Sequence, residues 1–192
     1  MNRKDVVVIG GPNGAGKTTW AIRRLPEILN IREFVNADEI ARGLSPLDPE
    51  GSTIAAGRVM INRLNELVSA GHSFAFETTC SGRGHVRLLE RCRAVDYRIT
   101  LVFLWLPSAK RALARVAQRV SEGGHRIPSD VVVRRYASGL RNMRLSYLPL
   151  ADSVFIYDNS DASDVLIAER REGAPLTVHD IFRWKQIEQA TQ

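Results

Sequence analysis

The residues with the clearest chemical potential are Gly11, Pro12, Asn13, Gly14, Ala15, Gly16, Lys17 and Thr18. Together they fit G-x-x-x-x-G-K-[ST], the pattern of a phosphate-binding P-loop. Glycines at these spacings let backbone N–H groups turn inward around phosphate oxygens, and the following helix adds its positive end. Lys17 is then expected to reach the β- and γ-phosphates of ATP, and the Thr18 hydroxyl to ligate Mg²⁺. Thr19 completes the expected nucleotide-binding set. Two further acids stand where a phosphoryl acceptor would need them. Asn36 and Asp38, in Asn36-Ala37-Asp38, are expected to contact the substrate, and Asp38 could take the proton of an acceptor hydroxyl. It or Asn36 could equally begin a helix through Glu39-Ile40-Ala41. Glu77, in Glu77-Thr78-Thr79, could hold a magnesium-bound water or a substrate hydroxyl, with Thr78 and Thr79 donating to substrate. A solvated strand end is the alternative.

These groups need strands that end beside one another. Val6–Ile9 is an apolar run of strand length, and Thr18–Leu29 reads as the helix after the P-loop, interrupted by Pro26. Glu33–Asn36 and Ser73–Phe76 read as strands, with the helix Thr53–Ala70 between them and Gly71 closing it. His85–Arg93 is a helix. Ile99–Leu106 is continuously apolar, as a central parallel strand requires. Helices follow over Ser108–Ser121 and Asp130–Leu145, separated by the breaker Glu122 to Pro128. Ser153–Tyr157 is a fifth strand, Val165–Ala168 is read as one more, and Val178–Gln189 as a closing helix. The alternation predicts an α/β fold: a three-layer α/β/α P-loop NTPase with a mainly parallel five-stranded sheet in the order 2-3-1-4-5. No repeat or linker divides the chain, so residues 1–192 are expected to form one domain. The three polar clusters then fall at the carboxyl ends of strands, where such sheets bind ligands.

The chain carries 27 basic and 21 acidic residues, a net charge of +6. Between Ser108 and Ser146 nine basic residues face only Glu122 and Asp130, a local excess of +7. Such a field suits a polyanionic small molecule or nucleic acid, and a solvated helix face is the plain alternative. With a Gly-Gly breaker between two helices, residues 108–146 read as an arginine-rich lid, with Arg119 and Arg126 nearest its hinge. His125 could also reach phosphate. Only Tyr136 and Tyr147 interleave with the basic residues, so stacking on nucleic-acid bases is poorly supported. Cys80 and Cys92, the only cysteines, show no disulfide or zinc spacing. No apolar run is long enough for a bilayer or a signal-peptide core, and a reducing, cytoplasmic compartment is expected.

Pro12 to Thr19 is similar to the loop of ABC transporter ATPases. The chain lacks their Leu-Ser-Gly-Gly-Gln signature, and Pro107 rather than an aspartate follows the apolar strand ending at Leu106. The ordered set of the P-loop, Phe34–Ala41, Ser73–Thr79, Arg115–Val120, Gly123–Pro128 and Tyr157–Ser160 resembles the zeta-toxin-like P-loop kinases over about residues 5–170. Known members use ATP to phosphorylate the 3′-hydroxyl of the amino sugar in UDP-N-acetylglucosamine. The resemblance implies that Lys17 binds phosphate, that Asp38 is the catalytic base and that Glu77 lies near metal or substrate. It further implies that Arg119 and Arg126 stabilise the transferring phosphoryl group. An antitoxin, where one exists, is expected as a separate chain. Two other functions remain open from the sequence: a nucleic-acid-associated ATPase, and a nucleotide-gated module that binds a partner protein.

Overall fold

The computed structural model describes residues 3–29, 31–124, 126–161 and 163–191; His125 lies outside them. Strand β1 (Lys4–Gly10) runs into the glycine-rich loop, and α1 (Lys17–Leu29) opens from it. Next come β2 (Phe34–Val35), α2 (Ala37–Leu44), α3 (Thr53–Ala70), β3 (Phe74–Thr78), α4 (Gly84–Ala94) and β4 (Tyr97–Trp105). The arginine-rich segment forms α5 (Ala109–Ser121) and α6 (Ser129–Asn142). After the short α7 (Leu148–Leu150) come strands β5 (Ser153–Asp158), β6 (Val165–Arg170) and β7 (Thr177–Val178), and α8 (Ile181–Gln189) is the last element.

The seven strands form one sheet in the order β2-β3-β1-β4-β5-β6-β7. Its first five follow the expected order and are parallel, with β1 held between β3 and β4. Val6 to Ile9 and Leu101 to Leu106 are all buried, although neighbouring side chains on a strand point to opposite faces. Both faces of these strands are therefore covered, which explains why they read as unbroken apolar runs. The order in which strands are added reverses at β1, which lies between β3 and β4. That is where a crevice opens at the carboxyl ends of a doubly wound sheet.

The sequence reading differs from the structure in four places. The sheet has seven strands, not five: β6 and β7 add antiparallel beyond β5. They cover what would otherwise be a bare parallel edge, a recurrent need of open sheets. Val178 lies in β7, and the closing helix starts later, at Ile181. Asp180 caps it by accepting the Arg183 N–H at 3.0 Å. The helix expected to run through Leu145 stops at Asn142, and Met143–Tyr147 widens into a π-helix. There Tyr147 donates to the Gly82 carbonyl, and Asn142 to the Cys80 carbonyl at 2.9 Å. Pro26 lacks a backbone N–H, yet α1 continues through it to Leu29.

Candidate active site at the carboxyl ends of the central strands

The loop between β1 and α1 is shaped by its glycines. Gly11, Gly14 and Gly16 have φ of 145°, 79° and 79°, a region that L side chains rarely adopt. A Cβ on Gly11 would stand 2.4 Å from the Leu104 carbonyl oxygen of β4. One on Gly16 would stand 2.8 Å from Asn159 Nδ2. The loop is also braced from behind. Asn159 donates to the Ala15 carbonyl, and one Arg115 nitrogen donates to the carbonyls of Asn159 and Gly14. Pro12 O accepts from the Ala15 N–H at 3.2 Å and from Lys17 Nζ at 3.0 Å.

Four side chains from three strand ends meet beside this loop. Thr18 donates to Glu77 Oε2 at 2.6 Å, and Lys17 Nζ lies 3.4 Å from Glu77 Oε1. Asn36 Nδ2 donates to Glu77 Oε2 at 2.9 Å and to Thr18 Oγ1 at 3.1 Å. Lys17 and Asn36 are both buried. A threonine hydroxyl and a carboxylate are hard oxygen donors. Mg²⁺ takes such groups one or two at a time, completing its shell with waters and substrate phosphates. Among the described residues no cluster of three or more His, Cys, Asp or Glu side chains could hold a metal alone. The pair Thr18–Glu77 therefore fits a nucleotide-bound Mg²⁺ and not a self-contained metal centre.

The question of which residue caps α2 has a definite answer. Asn36 Oδ1 accepts from the N–H groups of Asp38 (2.8 Å) and Glu39 (3.4 Å), so Asn36 is the N-cap. The Asp38 carboxylate is left half-buried, with no hydrogen-bond or ion-pair partner among the described residues. It lines a cavity of about 560 Å³ with Asn13, Lys17, Glu77, Thr78 and Thr79. Asn13 Oδ1 is buried there without a hydrogen-bond partner, as expected of a group awaiting a hydroxyl or water donor. The two threonines are partly engaged: Thr78 Oγ1 accepts the Cys80 N–H, and the Thr79 and Ser81 hydroxyls pair at 2.8 Å.

A second cavity, of about 420 Å³, opens on the other side of the P-loop against Gly14, Gly16, Thr19, Arg115, Arg119 and Asn159. The two lid arginines singled out from the sequence are thus separated. Arg126 lines the cavity of Asp38, and Arg119 the cavity of Thr19. The lid helices are themselves docked. Val116, Val132 and Leu140 are buried, and Tyr136 donates to the Leu106 carbonyl at 2.8 Å. Burial pushes the Tyr136 hydroxyl up to about 12, so it remains a donor throughout the physiological range.

Sequence reasoning missed four residues. Arg135 lines the Asp38 cavity nearly two turns into α6, but nothing separates it in sequence from its eight basic neighbours. The same holds for Arg115. Asn159 carried a signal, since it is polar and directly follows a strand end. His85 packs on Phe76, with ring centroids 4.9 Å apart, and joins the main cavity to a smaller one of about 270 Å³. Burial lowers the His85 pKa and favours the neutral ring. The two cysteines stay inert, because burial pushes the thiols of Cys80 and Cys92 up to about 12 and 11.

Comparison with known proteins agrees with this architecture. A curated but uncharacterized protein of Haemophilus influenzae is 29% identical over 126 residues, covering 66% of this chain and 88% of that protein. The structure of AvrRxo1-ORF1:-ORF2 with ATP superposes with a TM-score of 0.77 at 16% identity, covering 99% of this chain and 65% of that one. The chain thus spans just under two thirds of the AvrRxo1 chain. The PezAT chromosomal toxin–antitoxin system of Streptococcus pneumoniae gives a TM-score of 0.66 at 13% identity, covering 99% of this chain and 85% of that one. At these identities both likenesses speak for the fold alone, an α/β P-loop NTPase-like architecture with a mostly parallel sheet. No helix among the described residues is long and apolar enough to cross a membrane. The model of the AAA domain matches residues 6–145, which include the P-loop, Asp38, Glu77 and both lid helices, and the chain belongs to that family.

Proposed function

We propose that this chain is an ATP-dependent, Mg²⁺-requiring small-molecule kinase of the zeta-toxin type. Its leading acceptor is a hydroxyl of a nucleotide sugar such as UDP-N-acetylglucosamine. The observation that carries the reading is the free Asp38 carboxylate, relieved of capping by Asn36, on the wall of a cavity shared with Lys17 and Glu77. In the reading, the cavity on the Thr19 side takes the nucleoside of ATP and the cavity on the Asp38 side takes the acceptor. Asp38 accepts the acceptor's hydroxyl proton as that oxygen bonds to the γ-phosphorus. The bond to the β–γ bridging oxygen breaks, and ADP departs. Lys17 exchanges its contact with Glu77 for the β- and γ-phosphates. Thr18 and Glu77 are the residues that would hold Mg²⁺, whose charge would offset that of the phosphates.

Arg126 and Arg135 supply positive charge on the acceptor side, and neither has a carboxylate partner among the described residues. Charge so placed supports an anionic acceptor and stabilises the phosphoryl group in flight. Arg119 serves the nucleotide side. Two of the solved neighbours are the AvrRxo1-ORF1:-ORF2 complex and the PezAT toxin–antitoxin system, which supports a separate antitoxin partner.

The test is incubation with ATP, Mg²⁺ and UDP-N-acetylglucosamine, followed by phosphorus NMR. Asp38→Asn should lower transfer by about 10²- to 10⁴-fold, the usual contribution of a general base. Its melting temperature should stay near that of the wild type, because the cap is elsewhere. Absence of any phosphorylated product, with ATP hydrolysis indifferent to Asp38→Asn, would overturn the reading.

A further inference from the structure

We propose that Asn36 is a positioning residue: its carboxamide ties the first turn of α2, and Asp38 with it, to the Thr18–Glu77 pair of the donor site. The functional importance of this tie rests on the kinase reading above; its existence does not.

The orientation of the amide is fixed by its neighbours. Its oxygen receives two backbone N–H groups, from Asp38 and Glu39, and its nitrogen faces a carboxylate oxygen and a hydroxyl. Turning it over would set NH₂ against two N–H donors and the carbonyl against Glu77, so only one assignment satisfies the site. Asn36 is 5% exposed, and these four protein groups are the partners that satisfy its amide.

An ordinary N-cap would not need asparagine. Serine, threonine or aspartate caps comparably well. None of them can also donate to Glu77. Serine and threonine are too short, and aspartate would put a second carboxylate about where Nδ2 now lies, 2.9 Å from Glu77 Oε2. Asparagine is the short side chain with an acceptor for the helix and a donor for the acid at once. The distance from Glu77 to the Asp38 backbone is thus bridged by one planar group held at both ends. A shift of Thr18 or Glu77 is passed to the turn that carries Asp38.

The test is amide hydrogen exchange at Asp38 and Glu39, read by NMR on the nucleotide-free protein. Glu77→Ala touches neither amide, yet it should speed their exchange at least threefold relative to the amides of α8. In an Asn36→Ser background, where a cap remains but the donor is gone, the same Glu77→Ala change should leave them within the error of the background. No acceleration in the wild-type background, or equal acceleration in both, overturns the tie. A second arm measures transfer to UDP-N-acetylglucosamine by wild type and Asn36→Ser. We expect kcat to fall at least tenfold while KM for ATP stays within twofold. An unchanged kcat overturns the positioning role. If the wild type itself transfers nothing, the kinase reading has failed, and the exchange arm still decides whether the tie exists.

Discussion

Gly139 offers a quantitative test of how α6 meets the loop after β3. It lies inside α6, where alanine would ordinarily stabilise by about 1 kcal/mol. Here a Cβ would stand 2.4 Å from the Thr79 carbonyl oxygen, against a practical minimum of 3.0 Å. The obstacle is backbone, so α6 and the loop after β3 must part by at least 0.6 Å. One turn further along, Asn142 donates to the Cys80 carbonyl at 2.9 Å, and the same parting would stretch that bond to about 3.5 Å. Overpacking of this kind costs about 1–3 kcal/mol, and a lost hydrogen bond about 1 kcal/mol. Set against the alanine gain, the net is a loss of about 2 kcal/mol. For a chain of 192 residues that is a fall in Tm of about 4–8 °C. Calorimetry and urea unfolding measure it. Gly57→Ala in α3 is the control: nothing lies within 4 Å of its Cβ position, and it should raise Tm by a few degrees. If Gly139→Ala is as stable as the wild type, or more so, the inferred close approach of α6 to Thr79 is wrong.

Other outcomes follow from the contacts around the site. Arg115→Met removes the donor to the carbonyls of Gly14 and Asn159 and should weaken ATP binding about tenfold by calorimetry. Unchanged affinity would show that the brace behind the loop does not matter for the nucleotide. His85 has its pKa lowered by burial, so between its folded and unfolded values the unfolded chain binds more protons. Its contribution to stability is complete above the unfolded value of about 6.5 and is lost as pH falls through the lower folded one. Tm should therefore drop between pH 7.5 and 5, and drop less in His85→Gln; parallel profiles would refute the assignment.

Much of this molecule could be read from residue order. The P-loop, its flanking strand and helix, and the parallel core strands have strong local signatures, because a strand buried on both faces must be apolar at every position. The polar strand ends directed attention to Asp38 and Glu77. The tail of the sheet was harder to read. Thr177–Val178 is too short to show alternation, and it is a strand only because β6 is there to pair with it. The choice between Asn36 and Asp38 as cap could not be made from spacing, since both are good caps. Only the neighbours of the Asn36 amide decide it. The placement of the arginines is likewise set by packing: Arg119 and Arg126 are seven positions apart, yet they line different cavities.

The brace behind the P-loop has a thermodynamic consequence. The carbonyls of Pro12, Gly14 and Ala15 are already engaged by Lys17, Arg115 and Asn159. An incoming phosphate therefore meets a loop whose acceptors are quenched and whose shape is already set, and little chain entropy is lost when it binds. The larger opposing term is local and enthalpic, the separation of Lys17 from Glu77 at 3.4 Å. Affinity for the triphosphate should accordingly be governed by a single exchange of ionic partners. A ligand with too little charge to win Lys17 away from Glu77, such as a nucleoside monophosphate, would find the cradle formed and its cation still engaged.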